Sequence, residues 1–358
     1  LSKIMKIKLG HKIISKNSPT YFIADIAANH DGSLKRAIKL ISLAKKSGAD
    51  AVKFQHHDVT KYVSDFGFKK LGNKLSHQKK WKKTIFEVYK DAEVPRKWTH
   101  ALVKHCKKIG ITFMSTPYDL NTANYLNKYM PAFKIGSGDL AWDDMLINIA
   151  SKKKPFFIAT GASTIKEVEH AVKILKTKKA QFCLMQCNTN YTGSRENFKF
   201  INLNVLKTYK KKFPKILLGL SDHTPGHETV LGAIALGAKV VEKHFTDDTK
   251  RQGPDHPFSM DPQTWRSMVD SSRNLENSLG DGIKRVEGNE LKTVILQRRA
   301  TRAIKNLKKG QKVLRKDIEY QRPCPAKALT PNESKKKFGK KIKKNINVGD
   351  YLKKSDFY

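Results

Sequence analysis

Eight short apolar runs, each followed by a segment of helical periodicity, limit what this chain can fold into more than anything else in it. The runs are Tyr21–Ile26, Ala51–Gln55, Ile111–Ser115, Ala132–Gly136, Pro155–Thr160, Phe182–Cys187, Ile216–Leu220 and Lys239–Phe245. Between them lie helical stretches such as Pro95–Ile109, Asp143–Ser151, Ser163–Leu175 and Gly226–Gly237, and Ser33 is placed to cap a helix running to Lys46. Eight such repeats in about 260 residues predict a closed (β/α)8 barrel. A doubly wound open sheet is the alternative, but no Gly-x-Gly-x-x-Gly follows the first strand.

The expected boundaries are an N-terminal β-hairpin over 1–19, the barrel over 20–280, a polar linker over 281–293 and a small β-rich module over 294–358. Residues 56–92 form a polar and aromatic insertion of the kind that covers an active site. No apolar run reaches the length of a membrane span, and the first ten residues lack the apolar core of a signal peptide. Met5 is a possible true start, and a cytoplasmic protein is expected. Cys183 and Cys187 lie on one strand about 13 Å apart, too far for a disulfide, so reduced thiols are expected.

A net charge of +39 suggests a polyanion partner. Its distribution argues otherwise: only 12 of the 71 basic residues are Arg, and the lysines are spread over most predicted helices. The densest segment, Lys335–Lys344, is where weak polyanion binding would occur.

In a barrel the reacting groups gather at the carboxyl ends of the strands. Those ends carry Asp25, Asn29 and His30; Lys53 and Gln55; Ser115 and Thr116; Lys134, Ser137 and Asp139; Thr160; Gln186, Asn188 and Tyr191; Ser221, Asp222 and His223; Glu242 and His244. Imidazoles on adjacent strands about 4.8 Å apart can share a divalent ion, which makes His223 and His244 the candidate metal ligands, with Glu242 and Asp222 beside them. Lys53 and Lys134 in one cavity would repel unless an anion lay between them. Gly136-Ser137-Gly138 offers backbone N–H groups and a hydroxyl to phosphate or carboxylate oxygens. The residues thus describe a small dianionic substrate, a divalent metal acting as Lewis acid and carboxylates that move protons, as in joining an anionic enol to a carbonyl compound. A Schiff-base lysine is the rival reading.

Six ordered motifs carry a resemblance. They are Ala24-Asp25-Ile26-Ala27-Ala28-Asn29-His30-Asp31-Gly32, Ala51-Val52-Lys53-Phe54-Gln55, Lys134-Ile135-Gly136-Ser137-Gly138-Asp139, Gly219-Leu220-Ser221-Asp222-His223-Thr224, Glu242-Lys243-His244-Phe245-Thr246 and Gly253-Pro254-Asp255. Together they closely resemble the sialic acid (N-acetylneuraminate) synthase family over nearly the whole chain. The tail, with Gln321-Arg322-Pro323, looks like that family's C-terminal antifreeze-like domain of the SAF or β-clip type.

The resemblance implies condensation of phosphoenolpyruvate with an open-chain N-acetylmannosamine-type sugar, releasing phosphate and a nine-carbon 2-keto acid. By position, His223 and His244 would bind Mn²⁺ or Mg²⁺, and Lys53, Thr116, Lys134, Ser137 and Ser221 would hold phosphoenolpyruvate. Asp25, Glu242 and Asp255 would face the sugar, and Asp139 would help activate water. Gln55, Thr160 and Tyr191 complete the expected substrate site. The resemblance also implies a homodimer in which Arg322 reaches the partner's barrel. Asp25 stands where the family usually has Glu, Ala159 where a hydroxyl residue is frequent, and Thr189 where Asn is common. All three bear on which sugar is used. Relatives making pseudaminic or legionaminic acid share the metal and phosphoenolpyruvate motifs. Gly136–Asp139 is nearer the sialic acid branch, and Ala27–His30 leans to the pseudaminic one.

Overall fold

A computed structural model of the protein describes residues 5–10, 12–72, 78–79 and 81–358. The first described elements are two short antiparallel strands, β1 (Ile7–Leu9) and β2 (Lys12–Ile14). Eight parallel strands follow: β3 (Tyr21–Asp25), β4 (Ala51–His56), β5 (Thr112–Pro117), β6 (Phe133–Ile135), β7 (Phe156–Ala159), β8 (Phe182–Cys187), β9 (Leu217–Asp222) and β10 (Val240–His244). They pair in the order β5-β4-β3-β10-β9-β8-β7-β6, and the end strands β5 and β6 lie against each other, so the sheet closes into the expected (β/α)8 barrel.

Eight helices wrap this cylinder: Leu34–Lys46, Arg96–Ile109, Leu120–Leu126, Asp143–Ser151, Ile165–Thr177, Val205–Lys212, Glu228–Ala235 and Pro262–Ser278. The strands are buried on both faces, as parallel strands between a helical shell and a packed interior must be. Ser33 caps the first helix by accepting the Arg36 N–H. The helix after β5 is short, Leu120–Leu126, and Asp119 caps it by accepting the Thr122 N–H. Inside the cylinder, Tyr21, Met114, Phe157, Met185 and Val240 pack with Ile7, Leu9 and Ile14, so the N-terminal strands plug the amino end. That leaves the carboxyl end as the open mouth.

Residues 281–358 form a second compact unit. There β11 (Ala300–Ala303) pairs antiparallel with β12 (Ile318–Gln321) over a core that includes Leu307, Val313, Ile342 and Leu352. The sequence pattern places short strands from Val294 onward, but Leu291–Gln297 is a helix. Leu291, Val294 and Ile295 are spaced i, i+3, i+4, which is helical periodicity. All four cysteines are free and buried. Among the described residues no helix is long and apolar enough to cross a membrane.

Candidate active site at the carboxyl mouth of the barrel

Strand register assembles the mouth. Asp25 on β3 lies level with Lys53 on β4 and with His244 on β10. Glu242 is level with Ser221 on β9, and Gln55 with Thr116 on β5. Because alternate residues of a strand share a face, this register turns the polar partners of five strands inward in successive rows near the carboxyl end. The Lys53 ammonium stands 2.7 Å from the Asp25 carboxylate, 3.4 Å from Glu242 Oε1 and 3.2 Å from the Thr116 hydroxyl. Lys134 Nζ reaches the same Glu242 Oε1 at 3.3 Å. Gln55 donates to Asp25 Oδ2 at 3.0 Å, and the Ser221 hydroxyl donates to Glu242 Oε1 at 3.3 Å.

The anion required between the two lysines is therefore present in the chain itself, and it is Glu242. Both ammonium groups are 3% exposed, so the two lysines and two carboxylates form a buried, charge-balanced cage. Asp25 and Glu242 hold the Lys53 pKa above its ordinary value against the opposing effect of burial. A Schiff-base lysine needs the opposite shift, which disfavours Lys53 as an aldolase nucleophile.

Other predicted residues take varied places. The Ser137 hydroxyl accepts the Gly161 N–H at 3.0 Å. A side chain on Gly161 would meet Thr189 at 2.6 Å and Ser137 Oγ at 2.9 Å, so this approach requires glycine. The Thr160 hydroxyl donates to the Met185 carbonyl and accepts from Tyr209, tying it into the barrel wall. Asn29 likewise braces two loops, donating to the Phe245 carbonyl and Ser259. Asp222 points away from the mouth into a buried pair with Lys243 and is not beside the imidazoles as a ligand. Burial raises the Asp139 carboxyl to about 6, opposed by Lys134. It also raises Asp255 to about 6, although the Ala28 N–H donates to that carboxylate at 3.0 Å. Arg322 belongs to the second unit, where it is exposed and donates to the Gln297 carbonyl at 2.6 Å.

The two imidazoles lie together, with ring centroids of His223 and His244 5.3 Å apart. Tyr191 packs edge-on against His223 at 4.2 Å, and Phe258 packs on His244 at 4.8 Å. Burial pushes both imidazoles down to about 3, reinforced in His223 by His244 and in His244 by Lys53. Both are therefore neutral at physiological pH, the form that ligates metals. His223 Nδ1 donates to the Asn188 carbonyl at 2.9 Å, which leaves its Nε2 as the ligating atom. His244 Nδ1 and Glu242 Oε2 are buried with no hydrogen-bond partner among the described residues. Among those residues no three His, Cys, Asp or Glu side chains form a ready-made metal cluster. Two neutral imidazoles beside orphaned polar atoms fit a divalent ion.

The expected insertion does cover the mouth. His57, Tyr62, Tyr89 and Tyr118 close over Gln55, Tyr191, His244 and Asp255, around a cavity of about 100 Å³. Tyr62 and Tyr118 have ring centroids 4.2 Å apart. Of these aromatics His57, Tyr62 and Tyr89 come from the insertion, where the density of Tyr and Trp is the signal in the sequence, and Tyr118 directly follows β5. Asn73–His77 and Lys80 of the same insertion lie outside the described residues. Also unforeseen is the Asp31–His256 contact of 2.9 Å, which ties the loop carrying Asp255 to the loop after β3.

A water-poor mouth with paired ammonium groups, neutral imidazoles and titratable carboxylates, at the carboxyl end of a (β/α)8 barrel, defines an enzyme acting on a small anionic substrate. Comparison with known proteins narrows the class. The profile of the NeuB family matches residues 40–284. The chain belongs to the NeuB family, the sialic acid synthase-like nonulosonate synthases. N,N'-diacetyllegionaminic acid synthase of Campylobacter jejuni is 34% identical over 85% of this chain and 91% of its own length. Pseudaminic acid synthase of the same species is 33% identical over 94% of this chain and 96% of its own. The crystal structure of an N-acetylneuraminic acid synthetase from Leptospira borgpetersenii is 29% identical, covers 82% of this chain and 97% of that one, and superposes with a TM-score of 0.71.

The shared carboxylate gives a direct prediction. Glu242→Gln leaves two buried ammonium groups without their common partner, and breaking such a pair costs about 3–5 kcal/mol. Thermal unfolding should show that loss, and millimolar inorganic phosphate should restore more stability to Glu242→Gln than to wild type. Equal effects of phosphate on both would contradict an anion-accepting cage.

Proposed function

We propose that this protein condenses phosphoenolpyruvate with the open-chain aldehyde of N-acetylmannosamine and water, giving N-acetylneuraminate and phosphate. The observation that carries this reading is the cage of Lys53, Lys134, Glu242 and Asp25 lying against the neutral His223–His244 pair at one barrel mouth. Lys53 and Lys134, with Thr116, Ser137 and Ser221, hold the phosphate and carboxylate of the enol ester. Its C3 then faces an aldehyde bound under the lid by Gln55, Tyr191 and Asp255.

The new bond forms between C3 of the enol and C1 of the aldehyde, whose oxygen takes up a proton. Water adds to C2, and the C2–O bond to phosphate breaks. Asp139, raised to about 6, is ionised at neutral pH yet basic enough to take the proton from that water. Asp25 and Glu242 hold the lysines and face the sugar. His223 and His244 would hold a divalent ion, Mn²⁺ or Mg²⁺, which would supply Lewis-acid polarisation of the aldehyde oxygen. The aromatic lid excludes bulk water, so that the measured addition of one water is not outrun by hydrolysis.

A second reading is supported by a specific observation. Among the relatives, two curated matches are named for the legionaminic and pseudaminic acids, whose acceptors are diacetamido-trideoxyhexoses. Asp25, one methylene shorter than the usual Glu, is already engaged by Lys53, Gln55 and the Ala27 N–H, and His244 lies 3.5 Å away. The C-terminal unit is read as an antifreeze-like domain, and the enzyme as a cytoplasmic homodimer whose Arg322 acts in the partner's site.

Three outcomes are expected. Phosphate release from phosphoenolpyruvate needs both a divalent ion and an N-acylated hexosamine, with N-acetylmannosamine the best of an acceptor panel. Release without an acceptor, or after chelation and His244→Ala, would contradict the mechanism, and preference for a diacetamido sugar would install the second reading. The kcat/KM profile falls as pH drops below about 6, because Asp139 is then protonated and no longer a base, and Asp139→Asn lowers kcat roughly 10²–10⁴-fold at neutral pH. A profile flat to pH 5 would exclude Asp139 from that role. Finally, mixing Arg322→Ala with His244→Ala protein restores part of the activity through hybrid dimers; no recovery would refute action in trans.

A further inference from the structure

One buried ion pair lies outside the chemistry described above. Asp222 and Lys243 are directly opposite one another in the pairing of β9 with β10, and their side chains are 0% and 1% exposed. Each is flanked in sequence by site residues: Asp222 by Ser221 and His223, Lys243 by Glu242 and His244. By strand alternation they point to the opposite face, toward the helical shell.

Every polar atom of the pair is engaged. The Lys243 ammonium donates to Asp222 Oδ2 and to the Thr224 carbonyl, the latter at 2.6 Å. Asp222 Oδ2 also accepts from the hydroxyls of Thr224 and Thr229, each at 2.8 Å. Lys243 holds the Asp222 carboxyl below its ordinary pKa against the opposing effect of burial. Thr229 lies in helix Glu228–Ala235, so the network joins β9, β10, the loop after His223 and the helix that follows.

Burying two charges is a poor way to gain stability, since an apolar pair of similar volume is often as stable or more so. What the pair adds is a defined register. A slip of one residue between β9 and β10 would turn Lys243 and Glu242 to each other's faces and separate the two imidazoles. We propose that Asp222 and Lys243 are positioning residues for metal binding: their bond across the two strands sets the spacing of His223 and His244. The inference rests on the metal reading of that imidazole pair.

The test separates positioning from stability. Mn²⁺ affinity is measured by electron paramagnetic resonance on the full chain, with thermal unfolding in parallel. The variants are wild type, His223→Ala/His244→Ala, Asp222→Val/Lys243→Met and Thr229→Val. Wild type should bind Mn²⁺ and the double His variant should not; absence of this difference would overturn the metal reading and this inference with it. The apolar double variant should unfold near the wild-type temperature yet bind Mn²⁺ on the order of 10–100-fold more weakly. Thr229→Val, which removes one hydroxyl from the network, should show a smaller loss of affinity in the same direction. This variant keeps the test decisive if the double variant fails to fold. Wild-type Mn²⁺ affinity in a folded apolar double variant, or in Thr229→Val where the double variant does not fold, would overturn the proposal with the metal reading intact.

Discussion

The site depends on two buried ammonium groups sharing one carboxylate. Glu242 lies 3.4 Å from Lys53 and 3.3 Å from Lys134, and Asp25 stands 2.7 Å from Lys53. Burial disfavours the charged form of a lysine, and at Lys53 the two carboxylates more than offset it. Parallel strands β3, β4, β6 and β10 of a closed barrel turn these four side chains inward, where they meet. The fold therefore acts on the chemistry through register: alternate positions of short strands become a ring of charge.

That ring also explains how one mouth can be both anionic and cationic in function. The lysines and hydroxyls attract phosphate and carboxylate oxygens, while burial keeps the neighbouring imidazoles neutral, with His244 adding to the effect at His223 and Lys53 at His244. A carboxyl in the same surroundings is pushed the other way, and Asp139 and Asp255 rise to about 6. Environments that drive ionisable groups toward different protonation states within a few ångströms are the usual basis of proton transfer at neutral pH.

Much of this was legible in the sequence because it is periodic. Eight apolar runs separated by amphipathic segments dictate the barrel, and in a barrel the strand ends locate Lys53, Lys134, His223, Glu242 and His244 without further information. Side-chain direction beyond the last strand residue was less legible. Asp222 sits one residue before His223 but points to the other face, and Thr160 ends its strand with a hydroxyl already bonded to Met185 and Tyr209. Contacts made by loops were not legible at all. The Asp31–His256 tie joins residues 225 apart, and the stacking of Tyr62 on Tyr118 depends on how a long insertion folds back. The charge that offsets the two lysines, Glu242, lies two residues before His244 on β10, and only the packed side chains show that it reaches both.

A crystal structure of the protein soaked with Mn²⁺ and phosphoenolpyruvate, with anomalous data at the manganese edge, tests the central claim most directly. The account predicts manganese beside His223 and His244, with the phosphate and carboxylate of the enol ester contacting Lys53 and Lys134 in the same barrel mouth. Manganese bound elsewhere, or phosphoenolpyruvate bound away from both lysines, would contradict it.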